Sequence, residues 1–224
     1  MKNLKIFFVL IFTSILLTSF TSFDGNGKKA TSNRKKNKIA VKNAVKQLKD
    51  GGAVIYIVKD RKVKTDMLKE KGMEARALEL EKNRLKKEKI IVKGLVENFK
   101  FCPIYFILQS DMDKVQAGNL TGHLLDTTLS KNDAIVFNHT YFLMLDYGDV
   151  YDEQSKVYCD SCKSDLTGAM SLKHDAFVFK NKFLSQLTKP FPFYITCHYP
   201  AKEIAIKIEK LNKRLQAFYN KASE

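Results

Sequence analysis

The chain has no tryptophan, only four prolines and four cysteines, and just five arginines among its 39 basic residues. Sites that clamp phosphate backbones or read bases lean on the planar, bidentate guanidinium. A net charge of +15 carried almost wholly by lysine is therefore expected on solvated faces, and nucleic acid is not expected as a partner. None of the ten glycines falls in a Walker-type or dinucleotide-binding pattern, so no glycine-rich phosphate loop is expected. Beyond the N-terminus no apolar run reaches 18 residues, which excludes a further membrane-spanning helix by length. The four histidines, His123, His139, His174 and His198, have no serine or carboxylate at the spacing of a catalytic triad or a metal-binding helix. They are expected on loops. No internal repeat is visible.

Hydrophobic residues make up 45% of the 224, with sixteen Phe and nine Tyr, enough for the core of one ordinary domain. The positive charge is unevenly placed. Residues 28–49 hold nine bases and no acid, and residues 59–100 hold fourteen bases and eight acids, so the rest of the chain is balanced. Such an excess suits either solvated surfaces or an anionic membrane surface.

Residues 1–22 carry Lys2 and Lys5, then an apolar run from Ile6 to Leu17, then Thr18, Ser19, Thr21 and Ser22. That run is short for a span and right for the central region of a secretory signal. Export to the periplasm or the extracellular space is expected, with a cut between Ser19 and Gly27. An uncleaved N-terminal anchor is the alternative. Residues 23–38 read as a disordered basic linker. Its Lys28, Lys29, Arg34, Lys35 and Lys36 offer a weak contact to an anionic surface. Residues 39–224 read as one α/β domain.

That domain is organised around residues 53–109. Val54 to Val58 and Pro103 to Leu108 are apolar strands. The helix-forming stretch between them is too long for a hairpin and suits a crossover between parallel strands. The helix is expected from about Val63 to Phe99, with Gly72 able to split it. Leu78, Leu85, Val92 and Phe99 repeat by seven, but only one core position of each heptad is apolar. Its ends should pack on the sheet while its charged middle faces solvent or a partner. Before it, Val41, Ala44, Val45 and Leu48 share a helical face that ends at Gly51-Gly52. After it, residues 111–122 read as turns. Ala134–Asn138 and Thr140–Tyr147 read as a strand pair around Asn138-His139. Val157-Tyr158 and Ala176–Lys180 are further strands, and Phe191–Cys197 is an edge strand among Pro190, Pro192 and Pro200. A helix over residues 201–219 presents Ile204, Ile208, Leu211, Leu215 and Phe218 on one stripe. The expected fold is thus a mixed sheet of five to six strands, with an N-terminal β-α-β crossover and a C-terminal amphipathic helix.

The cysteines supply the chemistry. Cys159-Asp160-Ser161-Cys162 is a C-x-x-C pair, and in an exported protein four cysteines point first to disulfides. Cys159 and Cys162 can close a small loop or pair elsewhere, and Cys102–Cys197 is a further candidate disulfide. A metal site would combine Cys159 and Cys162 with His174 and either Cys197 or His198, an arrangement that an oxidising compartment disfavours. No metal or cofactor is expected.

Tyr158-Cys159-Asp160-Ser161-Cys162-Lys163 resembles the active-site hexapeptide of the thioredoxin family, aromatic-Cys-x-x-Cys-Lys. Ala176-Phe177-Val178-Phe179-Lys180-Asn181-Lys182 is similar to that family's strand and turn before its last strand and helix. The resemblance implies thiol–disulfide exchange through Cys159 and Cys162. In the family, however, the pair follows an early strand and opens a long helix. The leading expectation is an exported, non-catalytic envelope protein that binds a partner or stabilises an assembly, with the thioredoxin-like oxidoreductase as the alternative.

Overall fold

Gly52 shows how tightly the chain turns into its first strand. A Cβ there would stand 2.7 Å from the Gln47 carbonyl oxygen and 2.8 Å from the Leu48 Cα, so only glycine lets helix and strand meet this closely. The computed structural model describes residues 28–150, 175–187, 191, 194–197 and 201–223. Helix α1 (Lys28–Lys49) begins inside the stretch read as a linker. Within its later part Val45 and Leu48 are buried and Val41 and Ala44 half-buried, the face expected from their spacing.

Strand β1 (Ala53–Val58) is buried along its whole length. That is the position of a central strand covered on both faces, and it explains an unbroken apolar run. Helices α2 (Lys62–Glu70) and α3 (Glu74–Asn98) follow, split at Gly72. With φ of +69°, Gly72 holds a backbone conformation that side chains with a Cβ disfavour. Strand β2 (Ile104–Leu108) then pairs parallel with β1, Val54 opposite Ile104 and Val58 opposite Leu108. The crossover unit read from residues 53–109 is present.

A 3₁₀ turn (Gln109–Asp111) and a short helix α4 (Met112–Gln116) lead to the two-residue strand β3 (Leu124–Leu125), antiparallel to β2. Strand β4 (Phe142–Asp149) pairs parallel with the free side of β1, and β5 (Asp175–Lys180) is antiparallel to β4. Strand β6 (Tyr194–Thr196) closes that side, antiparallel to β5, and helix α5 (Ala201–Ser223) follows. The order across the sheet is β3-β2-β1-β4-β5-β6. The described residues form a single α/β domain with a mixed six-stranded sheet and, among them, five helices. As expected, β6 is an edge strand.

Alternation along β1 sorts the core into two layers. Val54, Tyr56 and Val58 join Val45 and Leu48 of α1, Ile91, Val92 and Leu95 of α3, and Ile204, Ile208, Leu211 and Leu215 of α5. Each of these α5 side chains is essentially inaccessible to water, which is worth on the order of 2 kcal/mol apiece. On the opposite face Ile55 and Ile57 pack with Ile107, Met144, Met112, Val115, Leu120 and Leu124.

Ala134–Asn138 does not pair as a strand with β4. Ile135 and Phe137 instead lie across the second face as an irregular segment. Alternating apolar residues satisfied this face by packing alone, without a ladder of backbone bonds. Among the described residues no helix is long and apolar enough to cross a membrane.

Candidate functional site

The two connections that leave β1 and β2 lie on opposite faces of the sheet. The α2–α3 connection packs on the Val54 face, and α4 packs on the Ile55 face. The carboxyl ends of parallel strands are where open α/β sheets hold their ligands. A cleft of about 310 Å³ lies there. Lys59 and Arg61 reach it from the end of β1, Tyr147 and Gly148 from the end of β4, and Asp175 from the start of β5. The fourth wall is α3. Leu80, Asn83, Arg84, Lys87 and Glu88 all line the cleft, and their spacing places them on one helical face. Further along α3, Ile91, Val92 and Leu95 enter the core. One side of the helix therefore changes from cleft wall to core. The charged middle expected to face solvent does so only on its other side, where Lys82, Lys86 and Lys89 are exposed.

Arg84 fixes the wall to the strand. Its Nη1 donates to the Lys59 carbonyl at 2.8 Å and its Nε to Glu81 Oε2 at 2.9 Å, with a second bond from Nη2 to Glu81 Oε1. Beneath the cleft the Tyr56 hydroxyl donates to Glu88 Oε2 at 2.9 Å, and Glu88 is only 4% exposed. Burial pushes the Glu88 carboxyl above its ordinary value, against the opposing pull of the Tyr56 hydrogen bond and of the Lys59 and Arg84 charges. Burial, reinforced by Glu88, also raises the Tyr56 hydroxyl.

Lys59 and Lys180 share one carboxylate. Lys180 Nζ donates to Asp146 Oδ2 at 2.6 Å, while Lys59 Nζ lies 3.2 Å from Oδ1 as an ion pair without hydrogen-bond geometry. Gly148 makes room for this arrangement, because a Cβ there would sit 2.7 Å from Lys59 Nζ. Lys87 Nζ stands 4.6 Å above the Tyr147 ring, a cation–π contact, and the Tyr147 hydroxyl donates to the Cys197 carbonyl at 2.9 Å.

The residues singled out from sequence fall as follows. Cys159, Cys162, His174 and His198 lie outside the described residues, as do Val157 and Tyr158. The side chains of Lys28, Lys29, Arg34, Lys35 and Lys36 are likewise outside them.

Cys102 and Cys197 are not brought together, which corrects the candidate pairing. Cys102 precedes β2 and Cys197 follows β6, two strands that run the same way with β1, β4 and β5 between them. Four strand spacings of about 4.8 Å amount to roughly 19 Å, and the two residues also lie at opposite ends of the sheet. A disulfide needs Cα atoms within about 7 Å. Burial pushes the Cys102 thiol up to about 12 and the Cys197 thiol up to about 11.

His139 is structural. Its Nδ1 lies 2.7 Å from the Gly51 carbonyl, which can only accept, so Nδ1 carries the proton and Nε2 accepts from the Tyr105 hydroxyl at 3.1 Å. His123 Nδ1 stands 3.8 Å from Asp111, whose other oxygen meets Lys131 at 2.7 Å. A second cleft, of about 410 Å³, is lined by Lys46, Asp50 and Tyr141 among others. It faces the amino ends of the strands, away from the crevice. Among the described residues no group of three or more His, Cys, Asp or Glu could hold a metal ion.

Sequence reasoning missed the carboxyl-end cleft. Its cations are ordinary helix and loop lysines and arginines until the fold assembles them, and Tyr56 reads as one more apolar strand residue. The signal that could have found it is the polar 83, 84, 87, 88 spacing on the face that begins at Leu80, which continues directly into the apolar 91, 92, 95 face. No protein-family model, no curated protein and no solved structure matches the chain.

Proposed function

We propose that this is an exported, non-catalytic envelope protein whose binding site is the cleft at the carboxyl ends of β1 and β4. The observation that carries the binding half is the convergence of Lys59, Arg61, Arg84 and Lys87 at the crevice between β1 and β4. The lining residues include no Ser, Cys or His, so the cleft offers charge and hydrogen bonds rather than a nucleophile with its base. The export half rests on the apolar run Ile6–Leu17 behind Lys2 and Lys5, and Lys28, Lys29, Arg34, Lys35 and Lys36 would add a weak anionic-surface contact.

Thermal-shift measurements on the full chain against a panel of anionic, neutral and cationic small molecules test the binding half. At least one compound should raise Tm, and the Arg61→Gln/Lys87→Gln double variant should lose that shift. A panel without a hit, or a shift the variant retains, removes the cleft as the site. Fractionation of the tagged protein in its host tests the export half.

A second reading, the thioredoxin-like oxidoreductase, is favoured by one feature. In the chain, Cys159 and Cys162 fall between Val150 and Asp175, and Asp175 lines the cleft. Against it, β1 runs directly into Lys59-Asp60-Arg61 and not into a cysteine pair opening a helix. Insulin reduction that Cys159→Ser abolishes would establish this reading in place of the first.

A further inference from the structure

The charges of the cleft do not cancel locally, and their surplus deepens the binding reading above, on which this inference rests. Arg84 is neutralised by Glu81 through two hydrogen bonds. Lys59 and Lys180 face a single carboxylate, Asp146, which leaves one positive charge over. Arg61 and Lys87 form no ion pair with a carboxylate among the described residues. Lys87 rests on the Tyr147 ring instead. Three unmatched cations thus stand against Asp175 and a Glu88 that burial drives towards its neutral form.

The backbone supplies an independent observation. Arg61 sits at φ 49° and ψ 24°, a left-handed conformation that is disfavoured for a residue with a Cβ. The first turn of α2 holds it there, since the Thr65 N–H and hydroxyl both donate to the Arg61 carbonyl, at 3.1 and 3.2 Å. Glycine would occupy the position without strain. Arginine there places a forked, permanently charged donor at the mouth of the cleft. The volume of about 310 Å³ admits a small ligand only, and so polar a wall does not favour an apolar one.

The geometry points to a phosphate-type dianion as the ligand of this cleft, held by Arg61 and Lys87 at the rim with Lys59 behind them. Such a group carries close to two negative charges at neutral pH and presents oxygens that match a guanidinium fork. Two chemical forms share this chemistry, free inorganic phosphate and the phosphate group of a small ester, and titration separates them.

The test is isothermal titration of the full chain with inorganic phosphate, pyrophosphate and glycerol 3-phosphate, with succinate as a dicarboxylate control. At least one phosphate compound should bind and succinate should bind far more weakly. The Arg61→Gln/Lys87→Gln variant should weaken phosphate binding roughly tenfold or more. Exposed Arg76 and Lys86 lie on the same helix outside the cleft, so Arg76→Gln/Lys86→Gln removes the same charge and should leave binding unchanged. Circular dichroism of each variant guards against misfolding. Tighter binding of the ester than of phosphate assigns the ester form, and the reverse order assigns the free ion. Equal weakening by both double variants would reduce the effect to net charge and overturn the inference. So would phosphate binding that the Arg61/Lys87 variant retains. If the phosphates do not bind while the thermal-shift panel yields another ligand that needs Arg61 and Lys87, the phosphate assignment falls and the binding reading stands. If nothing binds in either experiment, both fall.

Discussion

Replacing Gly94 by alanine sets two effects of known size against each other. Gly94 lies in the interior of α3, where alanine is favoured over glycine by about 0.8–1 kcal/mol. A Cβ at this position would stand 2.9 Å from Ile204 Cγ2 and 3.5 Å from Ile208 Cδ1, both on α5. Ile204 and Ile208 are 1% and 0% exposed. The Cγ2 methyl belongs to a β-branched side chain, which a helix confines to essentially one χ1 rotamer, so it has nowhere to turn. Overpacking of this kind costs about 1–3 kcal/mol. The net expectation for Gly94→Ala is destabilisation by up to about 2 kcal/mol, or several degrees in Tm for a domain of this length. Ile204→Ala removes the obstructing methyl and costs about 2–5 kcal/mol by itself. In that background the nearest neighbour of the new Cβ is Ile208 Cδ1 at 3.5 Å, an ordinary van der Waals contact, and Gly94→Ala should become stabilising by about 1 kcal/mol. Urea unfolding of the wild type, the two single variants and the double variant, followed by far-UV circular dichroism, measures the coupling directly. If Gly94→Ala stabilises equally in both backgrounds, the two helices do not meet at this point and the packing described for α3 and α5 is wrong.

Two further outcomes follow from the buried titratable groups. Burial raises the Glu88 carboxyl above its ordinary 4.5, so above that pH the folded state binds more protons than the unfolded one and stability falls as pH rises. Glu88→Gln keeps an acceptor for Tyr56 and removes that slope. The variant should be the more stable at neutral pH, with the two profiles converging towards pH 4, and the opposite trend in urea midpoints would sink the assignment. With its thiol raised to about 12 by burial, Cys102 should alkylate far more slowly than a free thiol at pH 8 in the folded protein and rapidly in urea. Peptide mapping of the non-reduced protein should yield no Cys102–Cys197 cross-link, and fast native labelling of Cys102 would contradict its burial.

The framework was legible because its signals are local. Val54–Val58 has no polar alternation because β1 is covered on both faces, and the split at Gly72 follows from a glycine amid good helix formers. The stripe of Ile204, Ile208, Leu211 and Leu215 shows the buried side of α5 directly. The alternation in Ala134–Asn138 predicts a strand that does not form, because alternation describes which side chains are buried and not whether the backbone finds a partner strand. Helix α1 extends back to Lys28, into a stretch whose composition reads as a linker, because composition weighs burial and helix formation does not require it. The cleft was invisible for a different reason. Its walls come from residues 59–61, 80–88, 147–148 and 175, and no local pattern links a loop arginine to a helix lysine some two dozen residues away.

The position of β1 carries a kinetic consequence. Val54 pairs with Ile104 on one side and with Leu143 on the other, so the first strand in the chain waits for both neighbours. Sheets closed by such distant pairings fold slowly, because the entropy of closing the loops is lost before the contacts return it. Until the segment beyond residue 142 is available, an apolar strand that is wholly buried in the native protein keeps one edge unpaired. A chain still being made, or cut short before β4, would present that edge to any other extended polypeptide, and its survival in soluble form would depend on a chaperone or on how soon the remaining residues arrive.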